Sequence, residues 1–138
     1  MTPTPRSQRT VLYVGDNPVS VRLVELILQG RPALRLISAA GGAQGLELAH
    51  EHRPALLLLD LRLPDMPGEY VLGAVLADPI LRSTPVVILT AAAEPASIER
   101  LLALGARAYV TKPLDIVQFL TVVDGCLGGG HLWPVARP

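Results

Sequence analysis

The sequence predicts an α/β fold: five parallel strands in one sheet, with helices on both faces. Three observations predict it. Short apolar runs alternate five times with longer amphipathic segments, the pattern of repeated β-α units. The run at 55–60, Ala-Leu-Leu-Leu-Leu-Asp, is apolar until its last residue, which suits a central strand covered on both sides. The chain has 138 residues, half of them hydrophobic and 17% charged. That is apolar enough for a packed core and excludes wholesale disorder.

The elements follow in order. Residues 1–9 are polar, carry two prolines and read as a flexible lead-in. Residues 10–15 (Thr-Val-Leu-Tyr-Val-Gly) form a β-branched, apolar first strand. Asn17 is a good N-cap and Pro18 a good first helical residue. The helix carries Val21, Leu23, Val24, Ile27 and Leu28 at helical spacing and is expected to stop at Gly30. Residues 33–39 are the second strand. Gly41-Gly42 turns the chain, and 43–51 is a short helix with Leu46 and Ala49 inward. Residues 55–60 are the third strand. A loop at 63–68 leads to a helix ending about Ala77, and 85–90 is the fourth strand. Pro95 opens a helix that ends near Gly105, 107–111 is the fifth strand, and a last helix runs from about Leu114 to Cys126. Residues 128–138 read as a tail, so one packed domain at 10–127 is expected.

Composition removes several functions. Lys+Arg and Asp+Glu are equal at 12 each, so no net field favours nucleic acid or anionic membrane. The lone Cys126 cannot make an internal disulfide. No apolar stretch approaches a membrane span, and the first ten residues lack the apolar core of a signal peptide. A cytoplasmic protein is expected. Of the 12 basic residues 11 are arginine, and the single lysine is Lys112.

Five such strands fit a flavodoxin-like, doubly wound (βα)5 sheet of order 2-1-3-4-5, in which ligands sit beyond the carboxyl ends of strands 1 and 3. Those ends carry Asp16 and Asp60, while strand 4 ends at Thr90 and strand 5 at Lys112. Two carboxylates facing one crevice repel each other, and a hard divalent cation such as Mg²⁺ relieves that repulsion. An ammonium and a hydroxyl opposite them suit an anion. Together these groups make a site for phosphoryl transfer.

The motifs Val-Leu-Tyr-Val-Gly-Asp-Asn-Pro at 11–18, Leu-Leu-Leu-Asp-Leu-Arg-Leu-Pro-Asp-Met-Pro-Gly at 57–68, Val-Val-Ile-Leu-Thr-Ala at 86–91 and Tyr-Val-Thr-Lys-Pro-Leu at 109–114 resemble the receiver domain of two-component response regulators. The resemblance spans about residues 10–127. It implies that Asp60 is the phosphoacceptor, taking a phosphoryl group from a histidine of a kinase or of a histidine phosphotransfer protein. It implies that Asp16, Asp60 and the backbone carbonyl of Arg62 bind Mg²⁺, and that Lys112 and Thr90 hold the phosphoryl oxygens. Thr90 and Tyr109 would be the switch pair, small Ala91 would leave the phosphate room, and the Lys112-Pro113 bond would be cis. The surface of helix 4, strand 5 and helix 5 would then change what a downstream partner meets. No enzymatic turnover is expected beyond the domain's own phosphorylation and dephosphorylation.

One position departs from the pattern. The family usually has two adjacent acids after strand 1, and here the first is Gly15. One negative charge fewer predicts weaker Mg²⁺ binding. Arg62 either covers the acyl phosphate or competes with the metal. A receiver that binds partners without phosphorylation is therefore an alternative. A phosphatase using Asp60 as nucleophile wants a second acid two residues on, where Arg62 stands.

Simpler readings exist for other residues. Asp16 alone could be a turn or cap, Tyr109 a core aromatic, and Asp65 a cap or turn before the third helix. Gly41, Gly42 and Gly45 lack a phosphate-loop pattern. His50, His52 and His131 lack metal-ligand spacing, and Trp133 hints at a contact surface in the tail. With no room for an output domain, the chain is expected to be a stand-alone regulator or a receiver excised from a larger protein such as a hybrid kinase.

Overall fold

The computed structural model describes residues 8–91 and 94–128. Of the lead-in expected at 1–9, residues 1–7 lie outside the described residues, and Arg9 is corrected to the first strand, where its N–H donates to Ala33 O at 2.8 Å. Of the tail expected at 128–138, residues 129–138, with His131 and Trp133, lie outside the described residues. The order of elements is β1 (Arg9–Val14), α1 (Pro18–Leu28), β2 (Leu34–Ala39), α2 (Gly42–His52), β3 (Leu56–Asp60), α3 (Gly68–Ala77), β4 (Val86–Thr90), α4 (Pro95–Leu104), β5 (Ala108–Thr111) and α5 (Ile116–Leu127). The five strands pair in parallel in the order β2-β1-β3-β4-β5. This is the doubly wound sheet that the β-α alternation predicts.

Each side of the sheet has its own core. On one face Val11, Tyr13, Leu56, Leu58 and Leu89 pack with Phe119 of α5 and Val24 of α1. On the other, Leu12, Val14, Leu57, Leu59 and Ile88 pack with Val71 of α3 and Leu101 of α4. The alternation of partners along β1 and β3 is the period of two of a strand. Every residue of β3 and β4 is buried, and each buried leucine contributes about 2 kcal/mol of transfer free energy.

The sequence signals for α1 hold at its start. Asn17 Oδ1 accepts from the backbone N–H groups of Val19 at 2.9 Å and Ser20 at 3.2 Å, and Pro18 opens the helix. The other end differs. The helix stops at Leu28 with a right-handed Gln29 cap, before Gly30. α5 begins at Ile116 rather than Leu114, because Asp115 caps it and accepts from Gln118 N–H at 3.0 Å.

α2 lies close over β1 because position 45 is glycine. A Cβ there would stand 2.8 Å from Val14 Cγ2. The reading of Asp65 is corrected. Its carboxylate caps α2, not α3, accepting from Gly42 N–H at 2.8 Å and Ala43 N–H at 3.0 Å. Among the described residues no helix is long and apolar enough to cross a membrane.

Candidate functional site

The chemistry-bearing residues meet because parallel strands end together. The register pairs Val14 with Leu59, Asp60 with Leu89, and Thr90 with Thr111. The residues just past these pairs are set at one edge of the sheet. Asp16, Asp60, Arg62, Thr90, Ala91 and Lys112 line one open cleft of about 420 Å³ there. Glu94 and Ser97, at the start of α4, line its far wall. The sequence offers no motif for those two.

Asp60 is the centre. It closes a fully buried strand and is itself 5% exposed, and Thr90 is 7% exposed. A carboxylate so placed needs partners, and each of its oxygens has one. Lys112 Nζ lies 2.7 Å from Oδ1. The Tyr13 hydroxyl donates to Oδ2 at 3.1 Å. The two contacts come from opposite sides: Lys112 follows β5, and Tyr13 belongs to β1.

Lys112 is delivered by local geometry. Its N–H donates to Thr90 O at 2.8 Å, prolonging the β4–β5 ladder by one step. The Lys112-Pro113 peptide is cis. Most of the ammonium stem is covered, the side chain being 20% exposed.

The β3–α3 loop is equally fixed. Arg62 bridges Pro67, and Gly68 N–H donates to Leu61 O at 2.8 Å. A Cβ at Gly68 would collide with the carbonyl oxygen of Asp60. Glycine therefore lets the loop close directly against the phosphoacceptor candidate, and this presents Arg62 at the cleft.

Tyr13 is a further residue that sequence reasoning missed. It is fully buried. Burial, and then the negative charge of Asp60, hold its phenol protonated far above its ordinary pKa; the Ser20 side chain acts in the opposite sense. A signal was present: Tyr13 and Gly15 share one face of a strand, and Gly15 is where the expected acid is missing.

Tyr109 of β5 pairs with Ile88 of β4 and packs, half-buried, against the core beneath α3 and α4. It is not among the cleft-lining residues. Among the described residues, no group of three or more His, Cys, Asp or Glu side chains could hold a metal ion. His50 instead contacts Asp78 at 2.5 Å. Asp16, Asp60 and, on the far wall, Glu94 bring carboxylates to the cleft; the donors expected for a hard cation would be Asp16, Asp60 and the carbonyl of Arg62. Their chemistry fits Mg²⁺, although the set is one carboxylate poorer than an acid at position 15 would make it.

Comparison with known proteins agrees with this geometry. The chain is 32% identical over 120 residues to the polar-differentiation response regulators DivK of Brucella anthropi and Brucella ovis, covering 87% of this chain and 97% of each of those proteins. Among solved structures it resembles the receiver domain of a sensor histidine kinase from Pseudomonas aeruginosa, which has a magnesium ion coordinated in its active-site cleft. That match has a TM-score of 0.78 and 28% identity, over 88% of this chain and 98% of the other. The chemotaxis response regulator CheY4 of Vibrio cholerae matches with a TM-score of 0.79 and 26% identity, over 87% and 99% of the two chains. The family model of the response regulator receiver domain matches residues 11–124. That span runs from the first strand into the last helix and includes every residue of the cleft, so the chain belongs to the response regulator receiver domain family.

Proposed function

We propose that the domain is a phosphorylation switch with Asp60 as phosphoacceptor. The observation that carries this reading is the Lys112–Asp60 pair, 2.7 Å apart at the floor of an open cleft. An oxygen of the Asp60 carboxylate attacks the phosphorus of a phosphohistidine. The P–N bond breaks, and the imidazole nitrogen leaves with the electron pair and takes up a proton. The donor is a histidine kinase or a histidine phosphotransfer protein. Lys112 then exchanges the carboxylate for phosphoryl oxygens, and the Thr90 hydroxyl turns toward them.

Asp16, Asp60 and the Arg62 carbonyl would hold Mg²⁺. When bound, it neutralises charge on the transferring group. With Gly15 in place of an acid, binding is weaker than usual for the family. The free energy of switching comes from contacts that the phosphoryl group makes in one conformation and not in the other. Tyr109 moves with Thr90 and re-forms the α4–β5–α5 surface that a downstream protein reads. The domain acts in the cytoplasm, catalyses only its own phosphorylation and dephosphorylation, and contacts neither nucleic acid nor membrane.

The test is incubation with Mg²⁺ and a small phosphodonor, or with beryllofluoride. An adduct on Asp60 that is absent from Asp60→Ala is expected, and its absence from wild type refutes the reading. An alternative reading is a receiver that binds its partner without phosphorylation; the buried phenol donating to Asp60, with no acid at position 15, is the feature that supports it. Equal partner binding by wild type and Asp60→Ala would establish that alternative.

A further inference from the structure

Gly15 continues β1 by one residue, its N–H donating to Ala39 O at 2.9 Å, so Tyr13 and Gly15, two residues apart, lie on the same face of the sheet. A Cβ built at Gly15 would stand 2.6 Å from Tyr13 Cε1 and collide with Asp60 Oδ2. The tyrosine ring and the Asp60 carboxylate together fill the volume that a side chain at position 15 would need. Where the receiver pattern places a second negative charge, this chain has a neutral hydroxyl that donates to Asp60 Oδ2 at 3.1 Å.

The two oxygens of Asp60 face different strands. Oδ1 faces β5 through Lys112, and Oδ2 faces β1 through Tyr13 and Gly15. Asp16, which with Glu94 is one of two further carboxylates lining the cleft, follows β1. A cation shared by the two carboxylates draws on the β1-side oxygen, which the phenol already engages. A donor hydrogen bond takes one lone pair of that oxygen and turns the positive end of the O–H dipole toward the cation.

We infer that Tyr13 and Gly15 act as one unit, in which the buried phenol occupies the place of the missing acid and competes with a divalent cation for Oδ2 of Asp60. Tyr13 is a positioning residue: it fixes the phosphoacceptor carboxylate from the β1 side and sets the metal demand of the domain. The inference rests on the receiver reading above.

Tyr13→Phe tests it, because the ring and the core volume remain and only the oxygen is lost. Wild type, Tyr13→Phe, Asp60→Asn and the Tyr13→Phe/Asp60→Asn double variant are titrated with MgCl₂ and MnCl₂ by calorimetry, without phosphodonor, at fixed pH and ionic strength. Freeing a carboxylate oxygen from a charge-assisted hydrogen bond should tighten cation binding about five-fold or more. The gain should vanish when Asp60 is asparagine. A purely structural tyrosine would leave affinity unchanged whatever it did to the melting temperature. Unchanged or weaker binding by Tyr13→Phe overturns the inference, and an Asp60 adduct in the same preparations then leaves the receiver reading standing. No cation binding by any variant, together with no adduct, overturns both. A second pair of variants reads the coupling directly. Tyr13→Val/Gly15→Asp should bind the cation more tightly than wild type, whereas Gly15→Asp alone should not. Equal gains in the two would show that Tyr13 and Gly15 are independent.

Discussion

Lys112 is the single lysine beside 11 arginines, and its position explains the exception. An ammonium is a compact charge that reaches one carboxylate oxygen at 2.7 Å and can then turn to a phosphoryl oxygen, whereas a guanidinium is a broad planar fork. Lys112→Arg should fold with the wild-type melting temperature yet lose most of the beryllofluoride-induced change in the amide NMR spectrum. A full response would show that the lysine is interchangeable. Asp60, Thr90 and Lys112 were legible because each ends an apolar strand with a group that such a strand does not otherwise need. Tyr13 was not, because a tyrosine inside a strand reads as core, and here it is both core and hydrogen-bond donor to the site.

At the scale of elements, sequence signals worked where capping is local and failed where it is not. Asn17 caps the helix that follows it. Asp65 caps a helix that begins 23 residues earlier in the chain, and only the folded sheet brings the two together. Its carboxyl is held below its ordinary pKa, first by the Ala43 N–H and then by the Gly42 N–H. Asp124 is lowered by the Arg31 guanidinium, which contacts its oxygens at 3.0 and 2.7 Å. Asp78 is lowered first by the Ile80 N–H and, less, by His50. A carboxyl whose pKa falls on folding stabilises the fold above its unfolded pKa, and that contribution is lost as pH falls through the folded value. Thermal stability should therefore drop as pH falls below about 4, the unperturbed carboxylate range. Asp65→Ala should lower the melting temperature at pH 7 and flatten part of that acid slope. A slope unchanged by the substitution would rule out Asp65 as a contributor.

For the whole molecule, the order of the sheet followed from the β-α repeat, since right-handed crossovers over a parallel sheet leave few alternatives. The site followed from the order, because ligands gather where neighbouring crossovers part. The exact loop against Asp60 did not follow, because it depends on Gly68 meeting a backbone carbonyl from another element. The same dependence on burial sets stability. Leu58 is fully buried at the centre of β3, and Leu58→Ala should cost about 2–5 kcal/mol, read as a lower urea midpoint. A loss well under 1 kcal/mol would mean that the neighbouring side chains close the gap.

Arg9 opens β1, and its guanidinium donates to the carbonyl of Leu127, the last residue of α5, at 2.7 Å. Entry and exit of the fold thus stand side by side, at the amino-terminal end of the strands and opposite Asp60, a strand length of roughly 20 Å distant by the rise per residue. The domain is built like a cartridge. Insertion into a surface loop of a host protein, or joining its ends and cutting new ones elsewhere, is therefore expected to leave the shape of the cleft intact.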